Sequence, residues 1–596
     1  MKKFIFLVSL LAAIVIYTAC FYKHVAVAPE KAIAQTLVMQ VDSFVSAKNK
    51  LKAAVETGAS EAQLQALFLQ TRMAYKRFEW AAEYFAPTTS RFVNGPPVEE
   101  IEADGQVIEP AGLQTIETVL FPKYDTTRKA TIIKQLNMLQ TGSDKYKLYF
   151  NNIGIFDWQV FDAVKLEMFR IETLGITGFD NPLTLKSAEE SSASIESLQK
   201  VMGYYTDENG TSKFSEKFTL ANSYLSANTN FDSFNRAEFI IHYADPITTA
   251  ITSLEKKLQV HVIRYNRLLR QDAPTLSDTN AFNANAYAPD TPYYMTDKKI
   301  ALGKMLFSDP ILSTTGTRSC KTCHQPDKAF TDGLAKNTII NSAALLPRNT
   351  PTLINAALQP SQFYDLRATT LEDQSFAVIQ NEKEMHGNMR LATDRLWQDK
   401  NYRKLFAAAF PKANRAGIDT FEVMNAIGSY VRSLVLLNSR FDEYMRGNKT
   451  AMNQEEINGF NLFMGKAKCG TCHYMPLFNG TFPPRYIKIE TEIIGVPQAI
   501  NKKVIDNDMG RYAIVPVESQ KHAFKIVTVR NAASTAPYMH NGVFTTLQQV
   551  LDFYNKGGGV GLGFKVDNQT LPTHKLNLTT KESDEIIAFI KSLDSK

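Results

Sequence analysis

Charge of one sign is what this chain lacks first. Its 66 Lys+Arg barely exceed its 60 Asp+Glu over 596 residues, and no basic block disturbs the balance. The charge balance gives no reason to propose nucleic acid as a partner. Cysteine is scarce too. Of the five, Cys20 stands alone, while Cys320, Cys323, Cys469 and Cys472 form two pairs of identical spacing. Neither pair has the βαβ surroundings of a thioredoxin-like dithiol, which excludes that reading. A hydrophobic content of 44% and a charged content of 21% are those of an ordinary folded protein. The length is too great for a single core, so about two to four domains are expected.

The N-terminus, MKKFIFLVSLLAAIVIYTACFYKH, has two lysines and then an apolar run from Phe4 to about Phe21. That is long for a signal core and just long enough to span a bilayer. Residues 1–25 are read as a signal sequence or a membrane or lipid anchor, which places the remainder outside the cytoplasm. Cys20, in YTAC, resembles a lipoprotein cleavage site with Tyr17 in the usual aliphatic position. The alternative is a cysteine that merely sits in a membrane anchor.

The fold class expected is mainly α: an N-terminal helical bundle followed by two further, mainly helical domains with long loops. In SEAQLQALFLQTRMAYKRFEWAAEYFAP, Leu64, Leu67, Phe68, Thr71, Tyr75 and Phe78 share one helical face, with Ser60 as N-cap and Pro87 as stop. Similar periodicity near 35–56, 186–203 and 246–269 extends the bundle over residues 26–270. Residues 271–295, rich in Pro, Asn, Asp and Ala without an apolar period, read as a linker laid over a neighbouring surface. Beyond it, KKIALGKMLFSDPILSTTGTRSCKTCH and EEINGFNLFMGKAKCGTCH each carry a short helix with a Gly and a Phe before a cysteine motif. Two related domains follow, 296–450 and 451–596.

CKTCH (320–324) and CGTCH (469–473) carry the strongest chemical signal. Cys-x-x-Cys-His attaches c-type haem: two thiols add across the vinyl groups, and the adjacent histidine ligates iron. A zinc site would need the cysteines as one four-ligand set, leaving no role for a histidine after each pair. His324 and His473 are therefore the expected proximal ligands. An electron carrier fills both axial positions and a catalyst leaves one open. In FYDLRATTLEDQSFAVIQNEKEMHG, Gln374 and Glu384 are an amide and a carboxylate able to position peroxide and move its proton beside an open haem. On residue type alone they read equally as a solvated polar face.

LFSDPILS, SCKTCHQPDKAFTDG, RNTPTLINAA, FYDLRATTLEDQ, EKEM, CGTCH and FKIVTVRNAASTAPYMHNGVFTTLQQVLDFY together resemble the bacterial dihaem cytochrome c peroxidases and their relative MauG, over roughly 296–596. The resemblance implies two cytochrome c-like haem domains, a peroxidatic one over 296–450 whose His324 haem reacts with peroxide and an electron-transfer one over 451–596. It also implies that Gln374 and Glu384 line the distal pocket and that Asn349, Thr535 and Pro537 hold a calcium ion between the haems. Oxygen donors suit calcium.

Three departures from the family pattern matter. The histidine that often caps the first haem is missing from NTIINSAALLPRN, where Asn341 stands, so the first haem is expected to be open. Tyr364 replaces the tryptophan between the haems, and its oxidation is coupled to loss of the phenol proton. Val378 replaces a distal proline, and His386 is a candidate substitute base that also reads as a surface histidine. At the sixth-ligand position of the second haem the family spacing from His540 puts Tyr554, as in MauG, in place of methionine. A phenolate would lower the potential and ease access to high-valent iron. The competing reading has Tyr554 in the core and Met539 or Met475 on the iron.

RMAYKRFEW, FVNGPPVEEIE and VIEPAGLQTIETVLFP resemble imelysin-type helical domains. Gln114 replaces the histidine of their Gly-x-His-x-x-Glu motif, which leaves Glu117 without its metal partner and the domain as a docking bundle. Three functions stand. The first is peroxide reduction with electrons from a small cytochrome c or similar donor. The second is MauG-like oxidation of a protein or organic substrate, and the third is non-enzymatic electron transfer or iron handling.

Overall fold

The computed structural model describes residues 28–595 apart from 103–104, 207 and 412–415. The apolar N-terminal run and Cys20 lie outside the described residues. No helix among those described is long and apolar enough to cross a membrane. The chain is mainly α, and its strands are two short antiparallel ribbons, Glu100–Ile101 with Val107–Ile108 and Thr491–Glu492 with Phe524–Lys525.

Helices Pro29–Thr57, Glu61–Lys76, Lys129–Asn152, Asp157–Thr173, Ser187–Gly203 and Glu208–Ala227 form the bulk of the N-terminal bundle. Ser60 caps the second of these by accepting the Gln63 N–H. Pro87 follows the end of a helix as expected, but the helix it follows is a separate one, and it opens another. The chain breaks at Arg77–Phe78, resumes as Glu79–Phe85, and Pro87 opens Pro87–Asn94. Its fixed φ and missing N–H suit a first turn better than a last one. The periodicity of 246–269 gives a helix only over Asp245–Lys257, because Gln259 takes a left-handed φ of 53°.

Segment 271–295 packs Ala273, Leu276, Ala281 and Phe282 into the core of the bundle. That core continues without interruption into Phe441, Phe460, Phe478 and Phe589, whereas residues near Leu306, Ile427 and Tyr430 form separate clusters. Helix Arg440–Met445, grouped with the first haem domain on sequence, belongs to the second half. Phe441 meets Phe478 at 5.2 Å and Phe589 at 5.6 Å, and Asp442 takes a bidentate bond from Arg530.

The two haem halves repeat one backbone plan. Left-handed Asn355 and Asn531 each precede a short 3-10 turn. Each is tied by its side chain to the chain just beyond its half's last helix, at Leu436 and Ser595. Bridges Gln362↔Ala368 and Tyr538↔Phe544 follow at the same offset, then helices Leu371–Gln380 and Leu547–Asn555 capped by Thr370 and Thr546. In each half the helix before the cysteine motif, Asp297–Ser308 or Gln454–Met464, crosses the half's last helix at a glycine. A Cβ on Gly303 would overlap the Ala426 carbonyl, and one on Gly459 the Glu585 carbonyl. Gly459→Ala is accordingly expected to destabilise the second haem half by about 1–3 kcal/mol, read as a lowered thermal midpoint with unchanged haem content.

Candidate functional site

His324 Nδ1 lies 3.0 Å from the Phe330 carbonyl and His473 Nδ1 lies 3.3 Å from that of Phe478. A carbonyl only accepts, so both Nδ1 atoms carry the proton and both Nε2 lone pairs are free for a metal. Burial lowers the pKa of each ring, that of His473 to about 4, which keeps them neutral. The carbonyl bond fixes the tautomer and ring orientation that an iron-ligating histidine requires. Burial also pushes the thiols up, Cys320 to about 12 and Cys323 to about 11, so neither is a poised thiolate. All four described cysteines are free of disulfides.

A cavity of about 2340 Å³ is lined by Cys469, Cys472 and His473, and also by Tyr364, Asn349, Thr535, Pro537 and Tyr554. It fits a haem chemically: apolar side chains surround the motif, and Arg511 and Lys525 offer cations to carboxylates. Tyr554 stands on Leu547–Asn555 where Val378 stands on Leu371–Gln380, at the same distance from the N-cap threonine. Burial raises the Tyr554 pKa, with smaller contributions from Cys469 and Cys472, so the phenol lies within electrostatic reach of the attachment thiols. Met539 lines this cavity as well, and Met475 does not.

In the half that carries His324, Gln374 and Val378 are half-buried and one turn apart. Glu384 follows in the next loop, pinned by its N–H to Asn381 and by its carbonyl, which accepts from Arg318 at 3.2 Å. Burial raises its pKa, and Arg367 and Arg318 partly oppose that. Glu384 in turn contributes to the raised pKa of Cys323, which places the carboxylate near the attachment motif. Asn341 and His386 are exposed, in left-handed turns. Tyr364 is half-buried and its hydroxyl donates to Asn349 Oδ1 at 3.4 Å. Asn349 also gives its Nδ2 to the Leu334 carbonyl and its backbone N–H to that of His540.

Sequence reasoning missed three groups at this centre. Arg348 bonds Asp365 at 2.6 Å and Asp508 at 2.6 and 2.9 Å, stitching the two haem halves together. Glu492, pushed up to about 7 by burial, accepts from the Cys472 thiol at 3.4 Å. Lys525, lowered by burial to about 8, donates its backbone N–H to the Tyr364 carbonyl. All three partnerships join distant loops; Arg348, beside Asn349, and Lys525, in FKIVTVRN, sit in recognisable motifs, and Glu492 does not.

In the helical domain, Gln114 spends its Nε2 on the Asn94 carbonyl, and Glu117 accepts the Leu183 and Thr184 N–H groups. No cluster of three His, Cys, Asp or Glu able to hold a metal occurs among the described residues.

Comparison with known proteins bears on the haem halves. The family model described as di-haem cytochrome c peroxidase matches residues 297–450. Cytochrome-c peroxidase IdrP2 of Pseudomonas sp. strain SCT is 33% identical over 313 residues, covering 49% of this chain and 80% of that protein. Methylamine utilization protein MauG of Methylorubrum extorquens is 33% identical over 304 residues, covering 51% and 80%. The crystal structure of a MauG-like protein associated with microbial copper homeostasis aligns with 28% identity and a TM-score of 0.46, covering 51% of this chain and 91% of that one.

Proposed function

The chain belongs to the di-haem cytochrome c peroxidase family, and we propose that it reduces hydrogen peroxide to water with electrons from a small cytochrome c or similar redox protein. The observation that carries this is the repeated hydrogen bond from histidine Nδ1 to a backbone carbonyl in both attachment motifs. Bound haem supplies the iron at which peroxide is cleaved and the store of oxidising equivalents. Glu384 takes the peroxide proton and returns it to the departing oxygen, and Gln374 holds the distal oxygen. Tyr364, between the halves, serves as an aromatic bridge for electron tunnelling and is not itself oxidised, since its hydroxyl donates to an amide oxygen that takes no proton. Asn349 and the backbone oxygens of Thr535 and Pro537 hold a calcium ion in this reading. An exported location, tethered through residues 1–25, belongs to the same proposal.

Tyr554 favours a second reading, MauG-like oxidation of a protein or organic substrate. It faces the second-haem cavity, and among the described residues its hydroxyl makes no hydrogen bond. Phenolate ligation would stabilise oxidised iron. Ferric protein mixed with peroxide and then with a reduced small cytochrome separates the two. Rapid oxidation of the cytochrome supports the peroxidase, and a long-lived oxidised spectrum with slow turnover supports the second reading. Tyr554→Phe is expected to change the electron paramagnetic resonance of the second haem alone. An unchanged spectrum removes the phenolate assignment.

A further inference from the structure

The helical domain is built into the second haem site. Its Phe179 ring meets Tyr474, the neighbour of His473, at 6.0 Å and Phe482 at 5.6 Å. Arg485, just beyond Phe482, donates to the Tyr84 carbonyl at 2.6 Å and places its guanidinium 5.8 Å from the Tyr84 ring centroid. Trp80 and Tyr84, one turn apart on Glu79–Phe85, line the same cavity as Cys469, Cys472 and His473.

A phenol in such a place gives up an electron readily only if its proton has an acceptor within hydrogen-bond reach, because the oxidised phenol is strongly acidic. Five described tyrosines line the cavity: Tyr84, Tyr364, Tyr474, Tyr538 and Tyr554. Tyr364 donates to an amide oxygen and Tyr538 to a backbone carbonyl, neither of which takes a proton. Tyr474 and Tyr554 make no side-chain hydrogen bond among the described residues. Tyr84 alone donates to a carboxylate, Asp162 Oδ2, at 3.1 Å. Arg267 fixes that carboxylate at 2.7 and 2.8 Å and donates onward to the Tyr265 hydroxyl at 3.1 Å. Tyr265 is 52% exposed, so the series ends at solvent.

We propose that Tyr84 and Asp162 form a redox-active station through which the second haem draws electrons from a one-electron reductant at the surface of the helical domain. It rests on the second haem being held at His473. In one cycle Tyr84 loses an electron toward the second haem, and its phenolic proton crosses to Asp162 Oδ2, leaving a neutral tyrosyl. The reductant returns one electron to the ring and Asp162 returns the proton. Two cycles supply the two electrons that one hydrogen peroxide consumes, the two protons of that reaction coming from solvent.

The test uses the full-length ferric holoprotein, mixed with stoichiometric hydrogen peroxide without reductant and freeze-quenched for electron paramagnetic resonance. The wild type is expected to show a tyrosyl signal. Tyr84→Phe, which keeps the ring under Arg485, loses that signal while the optical response of the haems to peroxide is retained. Asp162→Asn loses it as well, with the phenol still present. An undiminished signal in Tyr84→Phe, or no tyrosyl signal in the wild type despite a full optical response, overturns the assignment. Absence of any optical response to peroxide overturns instead the peroxidase reading on which it rests.

Discussion

Glu384→Gln is expected to slow the reaction of the ferric protein with hydrogen peroxide by roughly 10²–10⁴-fold, the usual contribution of a positioned proton-transfer group. Glutamine keeps the shape and one acceptor oxygen but cannot take a proton. The carboxylate is suited to the task because its loop is fixed at both backbone groups, by Asn381 and by Arg318. Burial raises its pKa, and Arg367 and Arg318 limit the rise, leaving a base stronger than an exposed glutamate. The sign of the pH dependence follows. With Glu384 proposed as the base that takes the peroxide proton, its unprotonated form is the active one, so the wild-type rate is expected to fall as pH drops through the raised pKa, and that limb to disappear in Glu384→Gln. Stopped-flow mixing with peroxide across pH reads both effects. His386 is the competing base, and its side chain is exposed. A His386→Ala variant is therefore expected to react at the wild-type rate. If it is the slow one and Glu384→Gln is not, the roles are exchanged.

What the sequence disclosed depended on how many contiguous residues each feature needs. Haem attachment is encoded in five adjacent residues, so CKTCH and CGTCH are legible without a structure. The bundle helices show through their apolar period, and the Gly303 and Gly459 crossings through a repeated Gly-and-Phe helix. Pro87 both follows the end of one helix and opens the next, and the earlier break at Arg77–Phe78 lies in an unbroken apolar period that gives no sign of it. Arg348 with Asp508 and Tyr84 with Asp162 were invisible, since each pair unites segments that carry no shared pattern. The continuity of the bundle core with the second haem half was hidden for the same reason. A segment read as a linker supplies Phe282, whose ring meets Tyr486 of the second haem half at 5.7 Å, so the loop joins the two parts instead of separating them.

The largest stability effect is expected from Asp180. This carboxylate accepts two bonds from Arg170 at 2.7 Å and one from Lys76 at 2.6 Å, and all three side chains are buried. Glu79 shares both cations, and Arg72 beside them is bidentate to Glu190. Asp180→Ala leaves Arg170 and Lys76 in the interior with too little counter-charge, which costs about 3–5 kcal/mol. Burial alone would raise the Asp180 pKa, and the Arg170 and Lys76 charges outweigh it, holding the group far below the usual carboxylate range. A folded pKa below the unfolded one, about 3.9, contributes stability that is fully present above that pH and lost as the pH falls toward the folded value. Thermal midpoints of the wild type are thus expected to decline below about pH 4, and the Asp180→Asn variant to show a shallower decline from a lower starting point. The cluster borders the second-haem cavity through Asn94, Arg170 and Asp180. A near-neutral Asp180→Ala would mean that the ion network is not what holds the bundle against the haem. Recovery of stability when Arg170→Met is added to Asp180→Leu would show that the cost lay in the unpaired charge and not in lost packing.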